Sequence, residues 1–333
     1  MILVTGGTGL VGSHLLYQLL LKNDEVVAIH QKTSDLEVVK KVFGYYTSDV
    51  ESLFNKILWV EAELNDIPAL EIAFKNVTLV YHAAAFVSFD PREYKKMRRI
   101  NIDGTTNIVN LCINNPIKKL CFVSSIATIE KKEKSKFVDE SGDWNNSMDK
   151  SGYAITKYGA EKEVWRASQE GVDVVIVNPG VILGSGFWNK GTGNLFTKIN
   201  SGFKYFTEGV TGFVDVKDVV SIMQKLMLSD IKNERFVLVS KNLSFKDLFF
   251  QMADCLKVKR PNIRVSKSLS ETLWRLESIK SKVTFKPPLM TKFSARASQS
   301  KKYFSSEKIK EALDFKFIEV HQTIEGVCKD FQS

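Results

Sequence analysis

A tyrosine and a lysine four residues apart, Tyr153 and Lys157, are the side chains of this sequence with the clearest potential for proton chemistry. On a helix this spacing places both side chains on the same face, one turn apart. A lysine charge stabilises the phenolate of a neighbouring tyrosine, so we expect the pKa of Tyr153 to fall below its usual value of about 10. Such a phenol can give or take a proton in a transition state. The alternative is a half-buried tyrosine beside a solvated lysine.

Short apolar runs alternate with segments of helical length through the first half of the chain. Each run is typical of a buried strand: residues 2–4, 26–29, 57–60, 79–81, 120–123 and 174–177. Repeated strand–helix alternation predicts an α/β fold, a doubly wound parallel sheet of Rossmann type with helices on both faces. A further strand is expected at residues 235–240 and a helix at 305–313.

The pattern changes after Asn178-Pro179-Gly180. Residues 184–212 are rich in glycine and aromatic side chains, which we interpret as loops rather than regular helix. We therefore expect a dinucleotide-binding domain over residues 1–180, with a return segment at about 212–240. Residues 181–211 and 241–333 then form a smaller C-terminal substrate-binding region.

Three glycines, Gly6, Gly9 and Gly12, stand between the first strand and a helix predicted to run to about Leu21. Gly6 permits a tight turn, Gly9 lets the backbone approach a pyrophosphate, and Gly12 lets the helix pack against the strand. The helix N-terminus adds free N–H groups and partial positive charge. The segment therefore predicts a dinucleotide-binding turn.

The end of the second strand reads His30-Gln31-Lys32, at the position where an acidic residue binds the ribose hydroxyls of NAD. The next carboxylate is Asp35. A neutral and basic edge tolerates a 2′-phosphate, so we favour NADP, with NAD as the alternative. A solvated surface role for Lys32 stays open.

Composition and charge limit the kinds of partner that the protein can have. The net charge is +9, but the basic residues occur in many segments and are largely mixed with acids, as in residues 130–136, so we expect no nucleic-acid partner. The four cysteines lack the spacing of metal ligands or of a redox pair: Cys112, Cys121, Cys255 and Cys328. We therefore expect no metal site, and we expect free thiols in a reducing compartment. The first residues read as a strand and no apolar run reaches spanning length, so we expect a cytoplasmic protein with no membrane partner.

The glycine turn, the Tyr-x-x-x-Lys pair and Ser124-Ser125 just after a strand together resemble the extended short-chain dehydrogenase/reductase superfamily, the NAD(P)-dependent epimerase/dehydratase family. Further matches lie at residues 63–64, 82–85, 101–105, 178–180 and 212–218. Residues 82–88 and 124–128 are most similar to the dihydroflavonol reductase and 3β-hydroxysteroid dehydrogenase-like branch.

The resemblance implies roles for particular residues. Tyr153 is expected to be the general acid/base, and Lys157 to lower its pKa and bind the nicotinamide ribose. Ser125 is expected to hydrogen-bond the substrate oxygen, with Ser124 as the alternative. Asn101 is expected to hold a water for proton relay or, equally, to cap a helix.

The remaining implied contacts fall into two groups. Cofactor contacts are expected from the residues Gly6, Thr8, Gly9, Leu10, Val11, Gly12, Gln31, Lys32, Glu63, Leu64, Ala83, Ala84, Ala85, Val123, Tyr153, Lys157, Pro179, Gly180 and Val181. Substrate contacts are expected from Phe86, Ser125, Asn178, Phe187 and Trp188. Six aromatic residues form either an apolar or aromatic substrate surface or the core of the smaller region: Phe187, Trp188, Phe196, Phe203, Tyr205 and Phe206. His82 is expected to be structural.

The resemblance implies hydride transfer between a nicotinamide and a carbonyl or hydroxyl group, with Tyr153 as acid/base. A nucleotide-sugar epimerase using the same triad is the alternative. Ile126-Ala127 after Ser125 argues against dehydration, which uses an Asp-Glu pair there. A non-catalytic NADP-sensing protein is less favoured because the triad is present. The family implies a homodimer formed through helices that flank the sheet.

Overall fold

The computed structural model describes residues 1–23, 25–133, 135–145, 150–284, 287, 288 and 290–333. The strands are β1 Ile2–Thr5, β2 Val26–His30, β3 Ile57–Glu61, β4 Leu79–His82, β5 Lys119–Val123, β6 Asp173–Pro179, β7 Val181–Leu183, β8 Tyr205–Phe206, β9 Val210–Asp215, β10 Glu234–Leu238, β11 Lys241–Ser244 and β12 Ile263–Arg264.

The helices include short elements between the strands and longer ones that cover the sheet. They are α1 Leu10–Leu20, α2 Glu37–Gly44, α3 Val50–Phe54, α4 Ile67–Ala73, α5 Tyr94–Arg98, α6 Gly104–Asn114, α7 Gly152–Gln169, α8 Gly193–Asn200, α9 Val216–Leu228, α10 Phe245–Cys255, α11 Lys267–Thr284, α12 Lys292–Ala297, α13 Glu307–Leu313 and α14 Val320–Gln332. Pro91–Glu93 and Ile126–Thr128 form 3-10 turns, and Arg99–Asp103 forms a π-helical turn.

Seven parallel strands form the central sheet in the order β10-β6-β5-β4-β1-β2-β3. One face packs on α1 and α9 through residues such as Leu16 and Val219, and the other on α6 and α7 through Ile108 and Val164. Burial on both faces explains the continuous apolar runs in the sequence. The predicted Rossmann-type α/β fold is confirmed. The strand order reverses between β1 and β4, where such sheets bind their ligands.

A smaller layer lies beside the sheet and has its own core. The three-stranded sheet β11-β9-β7 packs with α8, α10 and α14 around Phe196, Phe213, Met252 and Ile324. The prediction of loops over residues 184–212 was wrong in part, because α8 lies there. Gly193 fits the start of α8 since a Cβ would meet the Gly186 and Phe187 carbonyl oxygens at 2.7 Å. Phe196 and Ile199 then supply a buried helical face.

Candidate active site

The glycine turn lies at the carboxyl end of β1, at the point where the strand order reverses. Gly6 has a φ of +72°, and a Cβ there would lie 2.7 Å from the Ala84 backbone. A Cβ on Gly12 would lie 2.0 Å from the Gly6 carbonyl oxygen, so α1 approaches the turn only with glycine at this position.

Gly9 precedes α1 in an extended conformation, and no side chain caps the helix there. The first N–H groups of α1, from Leu10 and Val11 onward, therefore keep their partial positive charge available. A Cβ on Gly9 would contact the Gly6 carbonyl oxygen at 3.3 Å. An uncapped helix start behind a glycine surface fits a dinucleotide pyrophosphate.

The loop after β2 is attached to this turn. The Ser34 hydroxyl lies 3.3 Å from the Thr8 hydroxyl and accepts a hydrogen bond from the Gln31 N–H at 3.2 Å. Gln31 and Lys32 are both exposed. The turn and the end of β2 therefore form one surface, as an adenosine site requires.

The segments after β3 and β4 complete the cofactor side. Glu63 is exposed, whereas the Leu64 side chain is 7% exposed and packs against Gly104 at the start of α6. The Ala83 N–H donates to the Thr5 carbonyl at 3.2 Å, and the Ala84 N–H to the Thr5 hydroxyl at 3.3 Å. Of the two residues implied to contact the adenine, Glu63 therefore lies at the surface and Leu64 lies in the core.

The Tyr153–Lys157 pair lies in the first two turns of α7. The Ser151 hydroxyl caps this helix by accepting from the Ala154 N–H at 3.1 Å. Lys157 is 2% exposed, and its Nζ donates to the Val123 carbonyl at 2.7 Å. Burial lowers the pKa of Lys157 to about 7, although the Glu161 charge acts in the opposite direction.

Tyr153 does not have the lowered pKa expected from the sequence. Burial raises its pKa, and a side-chain hydrogen bond with Ser125 acts in the opposite direction. The expectation is contradicted because burial of the phenol is the largest effect on its pKa, while the Lys157 ammonium is held against the Val123 carbonyl. The Ser125 side chain nevertheless interacts with the Tyr153 phenol, so the two hydroxyl groups are neighbours.

Ser124 and Ser125 have different surroundings. Ser124 is 3% exposed, and its hydroxyl donates to Glu161 Oε2 at 2.6 Å. Ser125 is half-buried, begins the 3-10 turn and accepts from the Ala127 N–H at 3.2 Å. The geometry thus favours Ser125 as the partner of Tyr153.

Glu161 is a site residue that sequence reasoning missed. It is 1% exposed, one helical turn beyond Lys157, and its carboxylate accepts from the Thr128 hydroxyl and from Asn178 Nδ2, each at 3.0 Å. Arg235 Nη1 lies 3.3 Å from Glu161 Oε1. The i, i+4 spacing after Lys157 was the available signal.

Asn178 belongs to this buried network. Its side chain is fully buried, and its Nδ2 also lies 3.2 Å from the Ser125 carbonyl and 3.0 Å from the Thr128 hydroxyl. The Nδ2 group therefore ties the Ser125 turn to Glu161, whereas Oδ1 is buried without a hydrogen-bond partner among the described residues. The substrate contact that the resemblance implies for Asn178 stays a prediction.

Asn101 lies within the π-helical turn and does not cap α6, so the capping alternative was wrong. Its Nδ2 donates to the Phe86 carbonyl at 2.9 Å and to the Thr156 hydroxyl at 3.1 Å. Its Oδ1 accepts from the Phe86 N–H at 2.7 Å. Both amide hydrogens are thus used to fix Phe86 against α7, and no amide hydrogen remains for a relay water.

An exposed aromatic ring lies beside Tyr153. The Phe89 ring is 6.1 Å from the Tyr153 ring and is 49% exposed, and Val87 is 58% exposed. Sequence reasoning missed both, although they directly follow the predicted contact Phe86. A surface of this kind fits an apolar or aromatic substrate.

The aromatic residues after β7 divide between the core and the surface. Trp188 packs edge-on against Phe331 at 5.0 Å and against the fully buried Phe196 at 6.4 Å, so it belongs largely to the core of the smaller layer. Phe203 and Tyr205 are 37% and 48% exposed. Part of this aromatic set therefore belongs to the core of the smaller layer, and the substrate surface stays a prediction.

His82 is held between two threonine hydroxyls, 2.6 Å from Thr5 and 2.9 Å from Thr105. Burial, with a smaller effect of the Lys157 charge, lowers the pKa of His82 to about 3. The ring is therefore neutral and structural, as expected.

In the described part of the chain, no group of three His, Cys, Asp or Glu side chains could hold a metal ion, and no helix is long and apolar enough to cross a membrane.

A pyrophosphate-type turn at the reversal point of the sheet, next to a paired serine and tyrosine, defines the class: enzymes that use a bound dinucleotide for hydride chemistry. The sequence profile of the NAD dependent epimerase/dehydratase family matches residues 2–238. The chain belongs to this family, the extended short-chain dehydrogenases/reductases, and it is an NAD(P)-dependent enzyme.

Relatives in the family have different activities. A protein named "Putative dihydroflavonol 4-reductase" from Synechocystis is 24% identical over 99% of this chain and 94% of its own length. The UDP-glucose 4-epimerase of Vibrio cholerae is 30% identical over 56% of this chain and 52% of its own. The structure of a Thermotoga maritima UDP-glucose 4-epimerase superposes with a TM-score of 0.77 at 21% identity, covering 99% and 98% of the two chains.

Proposed function

We propose that this enzyme is a net reductase or dehydrogenase that transfers hydride between a nicotinamide and the carbonyl or hydroxyl group of a small apolar or aromatic molecule. The observation that carries the proposal is the exposed Phe89 ring, 6.1 Å from the ring of Tyr153, whose phenol interacts with the Ser125 side chain. The similarity to the Synechocystis relative, which covers nearly both chains, supports it.

The chain's own groups have separable tasks in this reaction. A bound nicotinamide supplies the hydride or accepts it. Ser125 and Tyr153 hold the substrate oxygen, and Tyr153 donates its phenolic proton to that oxygen in reduction or removes the hydroxyl proton in oxidation. Lys157 lies one turn after Tyr153 and donates to the Val123 carbonyl. In this proposal it binds the nicotinamide ribose. The uncapped start of α1 binds the pyrophosphate.

Tyr153→Phe tests the chemistry directly. A panel of carbonyl compounds and sugar nucleotides, with NADPH oxidation as the readout, first identifies a substrate. We then expect Tyr153→Phe to lower kcat by about 10²-fold or more, the usual share of a general acid, while NADPH fluorescence titration is unchanged. Tyr158→Phe is the matched control, because Tyr158 lies on the same helix and stacks on Trp144 at 4.2 Å. Equal turnover of both variants and the parent would refute the mechanism.

NADP is the proposed cofactor, on the basis of the exposed Gln31 and Lys32 at the end of β2 and the absence of a carboxylate between His30 and Asp35. Lys32→Glu should weaken NADPH binding by about tenfold and leave NADH binding nearly unchanged, since only NADPH carries a 2′-phosphate. Lys22→Glu, an exposed lysine beyond α1, is the control. Tighter binding of NADH than of NADPH by the parent enzyme would contradict the assignment.

The epimerase alternative is favoured by the similarity to the Vibrio cholerae UDP-glucose 4-epimerase, which covers about half of each chain. The buried position of Asn178 weakens it, because this amide was the proposed sugar-nucleotide contact. Interconversion of labelled UDP-sugars without net cofactor turnover would establish epimerisation and exclude the net reductase.

Three further expectations complete the proposal. The substrate cleft lies between the sheet domain and the smaller region, the enzyme is cytoplasmic, and it forms a homodimer through helices that flank the sheet. Light scattering coupled to gel filtration measures the oligomeric state, and a mass equal to one chain would exclude the dimer.

A further inference from the structure

The net positive charge of the chain is confined to one segment. Residues 241–300 contain 13 Lys and Arg against 4 Asp and Glu, an excess that equals the net charge of +9 of the whole chain. Acidic and basic residues balance in the remainder. This segment includes α10, α11 and α12. The expectation that basic residues are largely mixed with acids does not hold for it.

Helix α11, within this segment, has its apolar face outward. Ser270 and Ser281 are buried, at 2% and 8% exposure, and Ser270 accepts a hydrogen bond from Gln299 Nε2 at 2.8 Å. The large exposed apolar side chains are aliphatic and share one face at helical spacing: Leu269 (43% exposed), Leu276 (58%), Ile279 (62%) and Val283 (73%). A surface helix of a globular protein normally has the reverse arrangement.

Polar contacts between α11 and α12 explain why the apolar face of α11 is turned outward. Glu271 faces Arg296 of α12 at 3.0 Å, and its pKa is lowered by hydrogen bonds from Trp274 and Arg296. The polar side of the helix is therefore used to attach α11 to α12. The aliphatic stripe is left for an occupant outside the chain.

Basic side chains border the stripe. Arg275 and Lys280 lie on its two sides and are partly neutralised by Glu271 and Glu277, at 3.0 and 3.3 Å. Other exposed lysines of the segment form no ion pair within the described residues, namely Lys257, Lys259, Lys267 and Lys282.

We propose that α11 and its basic border form a binding surface for an anionic lipid membrane. An in-plane helix with an aliphatic face and flanking cations inserts its apolar face at the boundary between headgroups and acyl chains, while the lysines contact lipid phosphates and carboxylates. The helix lies on the bilayer and does not span it. The proposal replaces the sequence-based expectation of no membrane partner, and it does not depend on the substrate.

Two other occupants fit these observations less well. A nucleic acid would use the lysines but would leave four aliphatic side chains in water. A second copy of the chain would cover the stripe but would bring two segments of excess charge +9 together. Only an anionic apolar surface satisfies both features.

Sedimentation with lipid vesicles tests the proposal on the full-length protein. The probes are phosphatidylcholine vesicles and phosphatidylcholine vesicles that contain about 30% phosphatidylserine. We expect binding to the anionic vesicles at least about tenfold tighter than to the neutral ones, and weaker binding as salt is raised. The double variant L276Q/I279Q should bind the anionic vesicles at least about tenfold more weakly, because it removes two inserting side chains and no charge.

Leu228→Gln is the matched control, since Leu228 is 75% exposed at the end of α9, outside the basic segment. Leu228→Gln should bind as the parent does, and all variants should melt at the parent temperature. Equal binding to both vesicle types, or equal loss in L228Q, overturns the proposal. So does binding of single-stranded nucleic acid without vesicle binding, and so does a parent dimer that L276Q/I279Q converts to monomer in light scattering.

Discussion

The buried Glu161 carboxylate makes a specific prediction, because Glu161→Gln keeps the side-chain shape and removes its charge. The variant loses the attraction to Arg235 and places an amide N–H₂ next to other donors. Breaking a buried ion pair costs about 3–5 kcal/mol. Arg235 is 18% exposed and keeps its hydrogen bonds to the Glu140 and Gly142 carbonyls, so we expect a smaller loss, about 2–3 kcal/mol.

Urea titration at constant slope measures this loss, and thermal melting should show a decrease of roughly 5 °C. The matched control is Glu163→Gln on the same helix. Glu163 is 27% exposed in an i, i+3 pair with Arg166, and such surface pairs contribute at most about 1 kcal/mol. The reasoning is refuted if Glu161→Gln and Glu163→Gln unfold at the same urea concentration.

A catalytic readout separates positioning from bulk stability. Asn178 connects Glu161 to the Ser125 carbonyl at 3.2 Å, so a shift of this amide moves the turn that carries the Ser125 hydroxyl. We expect kcat of Glu161→Gln to fall by about tenfold below the melting temperature, with cofactor affinity unchanged. The double variant E161Q/R235M should lose less stability than the sum of its single changes, because neither charge is then left alone.

Three further predictions concern the site. Ser125→Ala should lower kcat by about 10²-fold with little change in melting temperature. Ser124→Ala should mainly lower the free energy of unfolding, by about 1–3 kcal/mol, since it removes a donor to a buried carboxylate. Reversed effects of the two variants would contradict the assignment of Ser125. Gly12→Ala should abolish NADPH fluorescence enhancement because its Cβ would lie 2.0 Å from a carbonyl oxygen, while Gly44→Ala, with open space around it, should bind normally. Burial lowers the pKa of Lys157 from 10.5 to about 7, so between these values the unfolded chain binds more protons and stability rises with pH. Lys157→Met should flatten that rise by up to about 1.4 kcal/mol per pH unit in urea titrations, and an unchanged slope would contradict it.

The sheet and the cofactor turn were predictable because their determinants are local. Strands buried on both faces need continuous apolar residues, and the close approach at Gly12 admits no side chain. The expected strand at 235–240 and helix at 305–313 correspond to β10 and α13 within two residues at each end. These features follow from short stretches of sequence, whatever the rest of the chain does.

The Glu161 network was not predictable because its partners are distant in sequence. Arg235 stands 74 residues after Glu161, and Ser124 stands 37 residues before it. Their meeting depends on the register of β10 on β6 and on the turn after β5. The raised pKa of Tyr153 was not predictable either, since it follows from burial in the folded chain.

Helix α11 shows a different reason for failure. Its aliphatic residues repeat at helical spacing, which would ordinarily predict a face turned toward the core. The structure buries Ser270 and Ser281 instead, since Glu271 and Gln299 supply polar contacts on that side. Periodicity thus identifies a shared face and does not reveal which face meets solvent.

The placement of β10 has a consequence for the order in which the molecule is made. Arg235 lies on this edge strand, which follows β7, α8 and β9 of the smaller layer in the chain and pairs in parallel with β6. A nascent chain that has emerged only to α8 therefore has α7 with the Glu161 carboxylate but lacks Arg235, its ion-pair partner. The Glu161 network is complete only after synthesis has passed residue 238, so we expect products truncated before that point to be less stable, even though they contain Ser125, Tyr153 and Lys157.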